Sequence, residues 1–150
     1  PDRWPGRRAP RQLDAERQGG APPGRQLLGR RLLRRVPQDE VEVWMRQLAE
    51  RNPSLVRVVP TIGPSVEGRE IPALVIGGTG APGGPAIFFQ ATLHAREWIT
   101  TSTVLYIAAA MAESTDPRIR ELVSAVTFYI VPTTNPDGYV YLLPGKYCAL

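Results

Sequence analysis

The order of apolar segments predicts an α/β sandwich behind a disordered N-terminal arm. Three observations carry this. Short apolar runs and helical stripes follow one another as strand, strand, strand, helix, helix, strand from residue 55 onward. The run Val126-Thr127-Phe128-Tyr129-Ile130-Val131 is continuously apolar enough to be a strand buried on both faces. The first 35 residues hold ten arginines against Asp2, Asp14 and Glu16, a net of +7, while the remainder carries 8 basic and 11 acidic residues, a net of −3.

That arm is rich in Pro, Gly, Arg and Gln and cannot bury enough apolar surface to offset the entropy of ordering it. Residues 1–36 are therefore expected to be disordered, with at most a short helix over Leu27–Arg35. Its Pro/Gly content argues against a transit peptide. The pairs Arg30-Arg31 and Arg34-Arg35 lack the apolar stretch an export signal needs. Nucleic-acid binding would rest on the arm alone, where Trp4, between Arg3 and Arg7, is the one aromatic residue among the arginines. Pro1 in place of an initiator Met is expected of a fragment or a processed form.

Order is expected from Pro37. Val41, Trp44, Met45 and Leu48 recur at helical spacing, with Asp39 as the expected N-cap and Asn52-Pro53 as the stop. Leu55–Val59 reads as a strand, Gly63–Gly68 as a turn, and Glu70–Ile76 as a second strand, with Pro72 at an edge or early position. Gly78-Thr79-Gly80-Ala81-Pro82-Gly83 matches the dinucleotide fingerprint GxGxxG, but it opens the apolar run Pro85–Phe89 and not a helix. It reads as a loop between strands. Ser102–Met111 is long enough for a mostly buried helix, and Asp116-Pro117 starts another with Ile119, Leu122 and Val123 on one face. The longest apolar run, Val104–Ala112, is too short to cross a bilayer, so no membrane partner is expected. With 43% hydrophobic and 21% charged residues the chain has material for a core. Its single cysteine, Cys148, excludes an internal disulfide framework and any multi-cysteine zinc finger.

His94 and Glu97 stand three apart at the end of a predicted central strand, where a helix begins. Ligands in open α/β sheets bind beyond the carboxyl ends of strands. Three-residue spacing on such a turn sets both side chains on one side of the backbone. An imidazole nitrogen with a carboxylate oxygen suits Zn²⁺. Alone, H-x-x-E is weak, and a lone histidine beside a core is commonly structural. Trp98 in the next position also excludes the H-x-x-E-H protease pattern.

His94-Ala95-Arg96-Glu97-Trp98-Ile99, followed by Asn135-Pro136-Asp137-Gly138-Tyr139, resembles the zinc carboxypeptidase family typified by carboxypeptidases A and B. Asn52-Pro53 and the Glu67-Gly68-Arg69 turn before Ile71 add to the likeness. It covers residues 37–141, about the first third of the family's catalytic domain, and leaves residues 142–150 as an unrelated tail. The resemblance implies a partial, truncated carboxypeptidase-like mixed-sheet sandwich. It implies a zinc cofactor with His94 and Glu97 as its first two ligands, and Arg96 as a substrate-binding residue. It also implies the C-termini of peptides or proteins as substrates, and it is compatible with a secretory setting, although no signal peptide is readable. Asn135–Gly138 is expected to be a structural turn near the site, and Trp98 a packing residue.

The family's third ligand is a histidine beyond the NPDGY motif, and its general base is a glutamate. Neither has a matching position here, and His94 is the only histidine. A site with two protein ligands falls short of structural and catalytic zinc sites alike, so the 150-residue chain is expected to lack activity. The competing readings are a non-catalytic fragment that binds peptides or partners, and an Arg-tail nucleic-acid binder.

Overall fold

The computed structural model describes residues 36–78 and 84–142. Residues 1–35 of the expected arm, most of the glycine loop, and residues 143–150 of the expected tail, with Cys148, lie outside them. Val36, assigned to the arm, is instead 9% exposed and packs in the core, its carbonyl accepting from the Tyr139 hydroxyl. The elements run α1 (Gln38–Arg51), β1 (Val56–Val59), β2 (Ala73–Gly77), β3 (Ala86–Gln90), α2 (Trp98–Glu113), α3 (Pro117–Ala125), β4 (Thr127–Val131) and α4 (Pro136–Tyr141). The strands form one mixed sheet in the order β1-β2-β4-β3, antiparallel at β1/β2 and β2/β4 and parallel at β3/β4. This is the α/β architecture that the order of segments predicts.

Local chemistry explains most boundaries and corrects some. α1 buries Val41, Met45 and Leu48 of the predicted stripe completely, and its fourth member, Trp44, is half-buried against the same core. Its N-cap is Pro37, with no side-chain cap bond, and Asp39 falls in the first turn, where a carboxylate favours the positive end of the helix dipole. Asn52 closes the helix, its side-chain amide donating to Leu48 O at 3.0 Å. β2 starts at Ala73, after Pro72, which has no N–H for a ladder; Glu70 is left in an isolated bridge with Pro64. α2 begins four residues before the expected Ser102, because Glu97 serves as its N-cap and the exposed Trp98 and Ile99 belong to its first turn. α3 starts as predicted, with Pro117 in its first turn and Asp116 Oδ1 accepting from Arg118 N at 2.9 Å. Val123 is buried on its inner face, whereas Leu122 is 41% exposed and so does not share that face.

Every second residue of the sheet feeds the core. Val56, Leu74, Ile76, Phe128 and Ile130 pack with Val41, Met45 and Leu48 of α1 and with Val104, Leu105, Ala108, Ala109 and Ala112 of α2. Phe89 stacks on Phe128 with ring centroids 6.4 Å apart. The expectation that β4 is buried on both faces holds at Phe128, Ile130 and Val131 but fails at Tyr129, which is 40% exposed. β3 is not central among the described residues. It is an outer strand, as β1 is at the other edge, with Ile87 and Phe88 exposed. No described helix is long and apolar enough to cross a membrane.

Parallel pairing of β3 with β4 has a direct consequence for the site. Gln90 pairs with Val131 at the last rung, so both strands end on one side of the sheet. The segments that follow them, 91–97 and 132–138, are thereby delivered to the same place.

Candidate metal centre and cleft

Three carbonyls in the segment after β3 are held by the segment after β4. Ala91 O accepts from Thr134 N at 3.0 Å and Thr134 Oγ1 at 2.9 Å. Thr92 O accepts from Asn135 N at 3.3 Å, and Leu93 O from Asn135 Nδ2 at 3.2 Å. Asn135 also caps α4, its Oδ1 accepting from Gly138 N at 2.9 Å. The NPDG segment is therefore a helix start, where a structural turn was expected. The Asn-Pro signal marks both, and only the tertiary partner of Asn135 decides between them. Gly138 is required by proximity: a Cβ there would lie 2.9 Å from Ala95 Cβ, inside the loop that carries His94 and Glu97.

On this braced loop, His94 Nδ1 lies 3.2 Å from Glu97 Oε1. The side chains are 76% and 56% exposed, so neither is a buried structural group. His94, Ala95, Arg96, Glu97, Gly138, Tyr141 and Leu142 line one cavity of about 490 Å³. Arg96 is exposed beside the pair and has no ion-pair partner among the described residues. Trp98, expected to pack, is 36% exposed at the start of α2. Two donors on a tetrahedral zinc ion lie about 3.4 Å apart, given bonds near 2.0–2.2 Å. The spacing and the N/O donor set thus fit two corners of such a site. No group of three or more His, Cys, Asp or Glu residues gathers around a common point among the described residues.

Two features of the surroundings carry no signal in the sequence pattern. The first is a clamp on α4. Asp137 Oδ1 accepts from Ser65 Oγ at 2.7 Å and from Arg69 Nη1 at 2.6 Å, and Oδ2 accepts from Glu67 N at 3.0 Å. The Ser65 hydroxyl, then the Glu67 N–H and Arg69, hold the Asp137 carboxyl below its ordinary range against the burial that opposes them. A carboxyl depressed on folding stabilises the native state fully above its unfolded value, about 3.9, and that contribution is lost as pH falls through the lower folded value. Asp137→Asn is accordingly expected to lower the melting temperature at neutral pH and to flatten its fall below about pH 4. Thermal melts across the acid range check this, and parallel curves for the two proteins would contradict it.

The second is Thr92, which has φ +52° and is the one non-glycine residue in the left-handed region among those described. For a β-branched residue this conformation is an outlier costing about 1–3 kcal/mol. It is 1% exposed, two residues before His94.

Comparison with known proteins follows the same lines. The sequence model of the zinc carboxypeptidase family matches residues 41–146. The chain is 43% identical over 103 residues to carboxypeptidase B of Astacus astacus, covering 69% of this chain and 33% of that protein. It is 40% identical over 105 residues to carboxypeptidase A2 of Mus musculus, covering 69% of this chain and 24% of that one. The crystal structure of carboxypeptidase A from Helicoverpa armigera superposes with a TM-score of 0.67 at 29% identity, over 90% of this chain and 34% of that chain. The chain spans about a third or less of the length of these relatives. With more than half its residues matched by the family's sequence model, this chain belongs to the zinc carboxypeptidase family.

Proposed function

We propose that residues 37–141 form the N-terminal part of the catalytic domain of a metallocarboxypeptidase, which hydrolyses the C-terminal peptide bond of peptides and proteins. In this reading His94 and Glu97 supply two ligands to one zinc ion, and Arg96 binds the substrate. The observation that carries it is the 3.2 Å approach of His94 Nδ1 to Glu97 Oε1 at the wall of an open cavity.

The roles follow from the groups themselves. His94 contributes a nitrogen donor and Glu97 an oxygen donor, from a loop whose carbonyls are fixed by Thr134 and Asn135. When bound, zinc supplies Lewis-acid polarisation of a carbonyl and lowers the pKa of a coordinated water. Arg96 presents a planar fork of donors that can grip substrate carbonyl oxygens and orient the peptide in the cleft. Tyr141 and Leu142 bound the cavity on the α4 side and give a peptide chain an apolar surface to lie against. No described residue is placed as the general base.

A blocked dipeptide with a free C-terminus tests the reading. A form extended through the rest of a catalytic domain is expected to release the last residue in a zinc-dependent manner. The 150-residue chain, with its single histidine, is expected to release none even with added zinc. Zinc-independent turnover by the extended form would end the proposal.

A further inference from the structure

The hydroxyls around Thr92 have only one consistent proton order. Thr101 Oγ1 donates to Pro132 O at 2.8 Å, and Thr100 Oγ1 donates to Glu97 O at 2.7 Å. Each of these hydroxyls has thereby committed its single proton. Thr92 N–H donates to Thr100 Oγ1 at 2.9 Å, and the Thr92 hydroxyl is within hydrogen-bond distance of Thr101 Oγ1 and 3.2 Å from Thr100 Oγ1. The Thr92 hydroxyl is therefore the donor in this cluster. One relay runs Thr92 to Thr101 to the Pro132 carbonyl after β4, and the other runs Thr92 N–H to Thr100 to the Glu97 carbonyl. The second joins residue 92 directly to the residue that carries the carboxylate of the site.

We propose that Thr92 is a positioning residue for the His94–Glu97 pair. Its left-handed backbone turns the chain out of β3, and its hydroxyl and N–H lock the 92–100 loop so that His94 Nδ1 and Glu97 Oε1 converge. A strained β-branched residue, buried and two residues from the site, persists only where its surroundings over-determine it. Here Thr100, Thr101 and Asn135 do so, Asn135 N donating to the Thr92 carbonyl at 3.3 Å. A glycine would adopt this φ without strain but would leave Thr101 Oγ1 without its donor. Thr92 thus trades conformational ease for the relay. The zinc part of the test below rests on the ligand reading of His94 and Glu97; the convergence of the two side chains does not.

Coupling between the two side chains gives the metal-free readout in the 150-residue chain. Glu97→Gln is expected to shift the His94 ring resonances in NMR spectra of the parent and of Thr92→Ser, which keeps the hydroxyl. In Thr92→Val, which keeps the shape and loses the donor, the same change is expected to leave those resonances within error. Thr100→Val cuts the other relay and is expected to behave as Thr92→Val does, so the test survives if one variant fails to fold. Undiminished coupling in both valine variants overturns the proposal. Zinc titration of the same samples, followed at His94, separates the two ideas. A dissociation constant raised about tenfold or more in Thr92→Val, as for other residues that orient a ligand, with Thr92→Ser within twofold, supports the positioning role. Loss of coupling in the valine variants with no zinc response in the parent upholds Thr92 and leaves the ligand reading to the metal content of the extended form, since two protein donors fall short of a complete site. An unchanged zinc constant in Thr92→Val beside a clear response in the parent refutes the positioning role.

Discussion

Replacing His94 or Glu97 by alanine in a form extended through the catalytic domain is expected to abolish zinc retention and activity together. The polarising role of a metal amounts to several kcal/mol of transition-state stabilisation. At about 1.4 kcal/mol per decade this places the loss in kcat/KM at about a thousandfold or more. With zinc removed from both proteins, stability is expected to change by no more than about 0.5 kcal/mol, because the side chains are 76% and 56% exposed and contribute little packing. Arg96→Ala provides the contrast. Its guanidinium lies beside the pair without being a zinc donor, so zinc is retained and KM rises. Metal content after dialysis, measured alongside turnover, checks both. Full zinc occupancy in His94→Ala or Glu97→Ala would remove the two residues from the metal site, and zinc loss in Arg96→Ala would show that the arginine is structural.

That His94 and Glu97 face one side of the backbone is legible in the sequence because it is local, whereas their 3.2 Å approach is not. Three-residue spacing entering a helix leaves few backbone arrangements, and all keep the two side chains on one side. The joining of that loop to Asn135 is legible only as the co-occurrence of two motifs. Its physical cause is the parallel register of β3 on β4, which is set by which strands pair and is not written in either motif. Composition reads the stripe Val41, Met45 and Leu48 correctly because a helix face is a periodic signal. It misreads Tyr129 and Leu122 because their exposure depends on what covers each surface. The site of β3 in the sheet is misjudged for the same reason: an apolar run reports burial potential and not neighbours. Thr92 gives no warning at all. Left-handed positions are read from Gly or Asn, and here tertiary hydroxyl bonds hold a threonine where its own preference would not put it.

Phe128→Ala is expected to have the largest effect on folding. Phe128 is 2% exposed, sits opposite Ile76 of β2 and Ile87 of β3, and stacks on Phe89. Truncating a buried phenylalanine removes its transfer free energy and leaves a cavity, together about 3–5 kcal/mol. A domain of this size has only about 5–15 kcal/mol in all, so the urea midpoint is expected to fall by about 2 M or more. Tyr129→Ala, one residue along and on the opposite face, is expected to shift it far less, since that ring is 40% exposed. The comparison also bears on the site. Phe128 joins β4 to β3 at the second rung of the pair, three rungs before Gln90 and Val131 deliver the loops, so partial loosening there is expected to appear at His94 before the chain unfolds. Fluorescence-monitored urea melts give the stability difference, and His94 ring resonances at low urea report the loosening. Equal midpoints for Phe128→Ala and Tyr129→Ala would mean that the β3/β4 seam is not where this fold is held together.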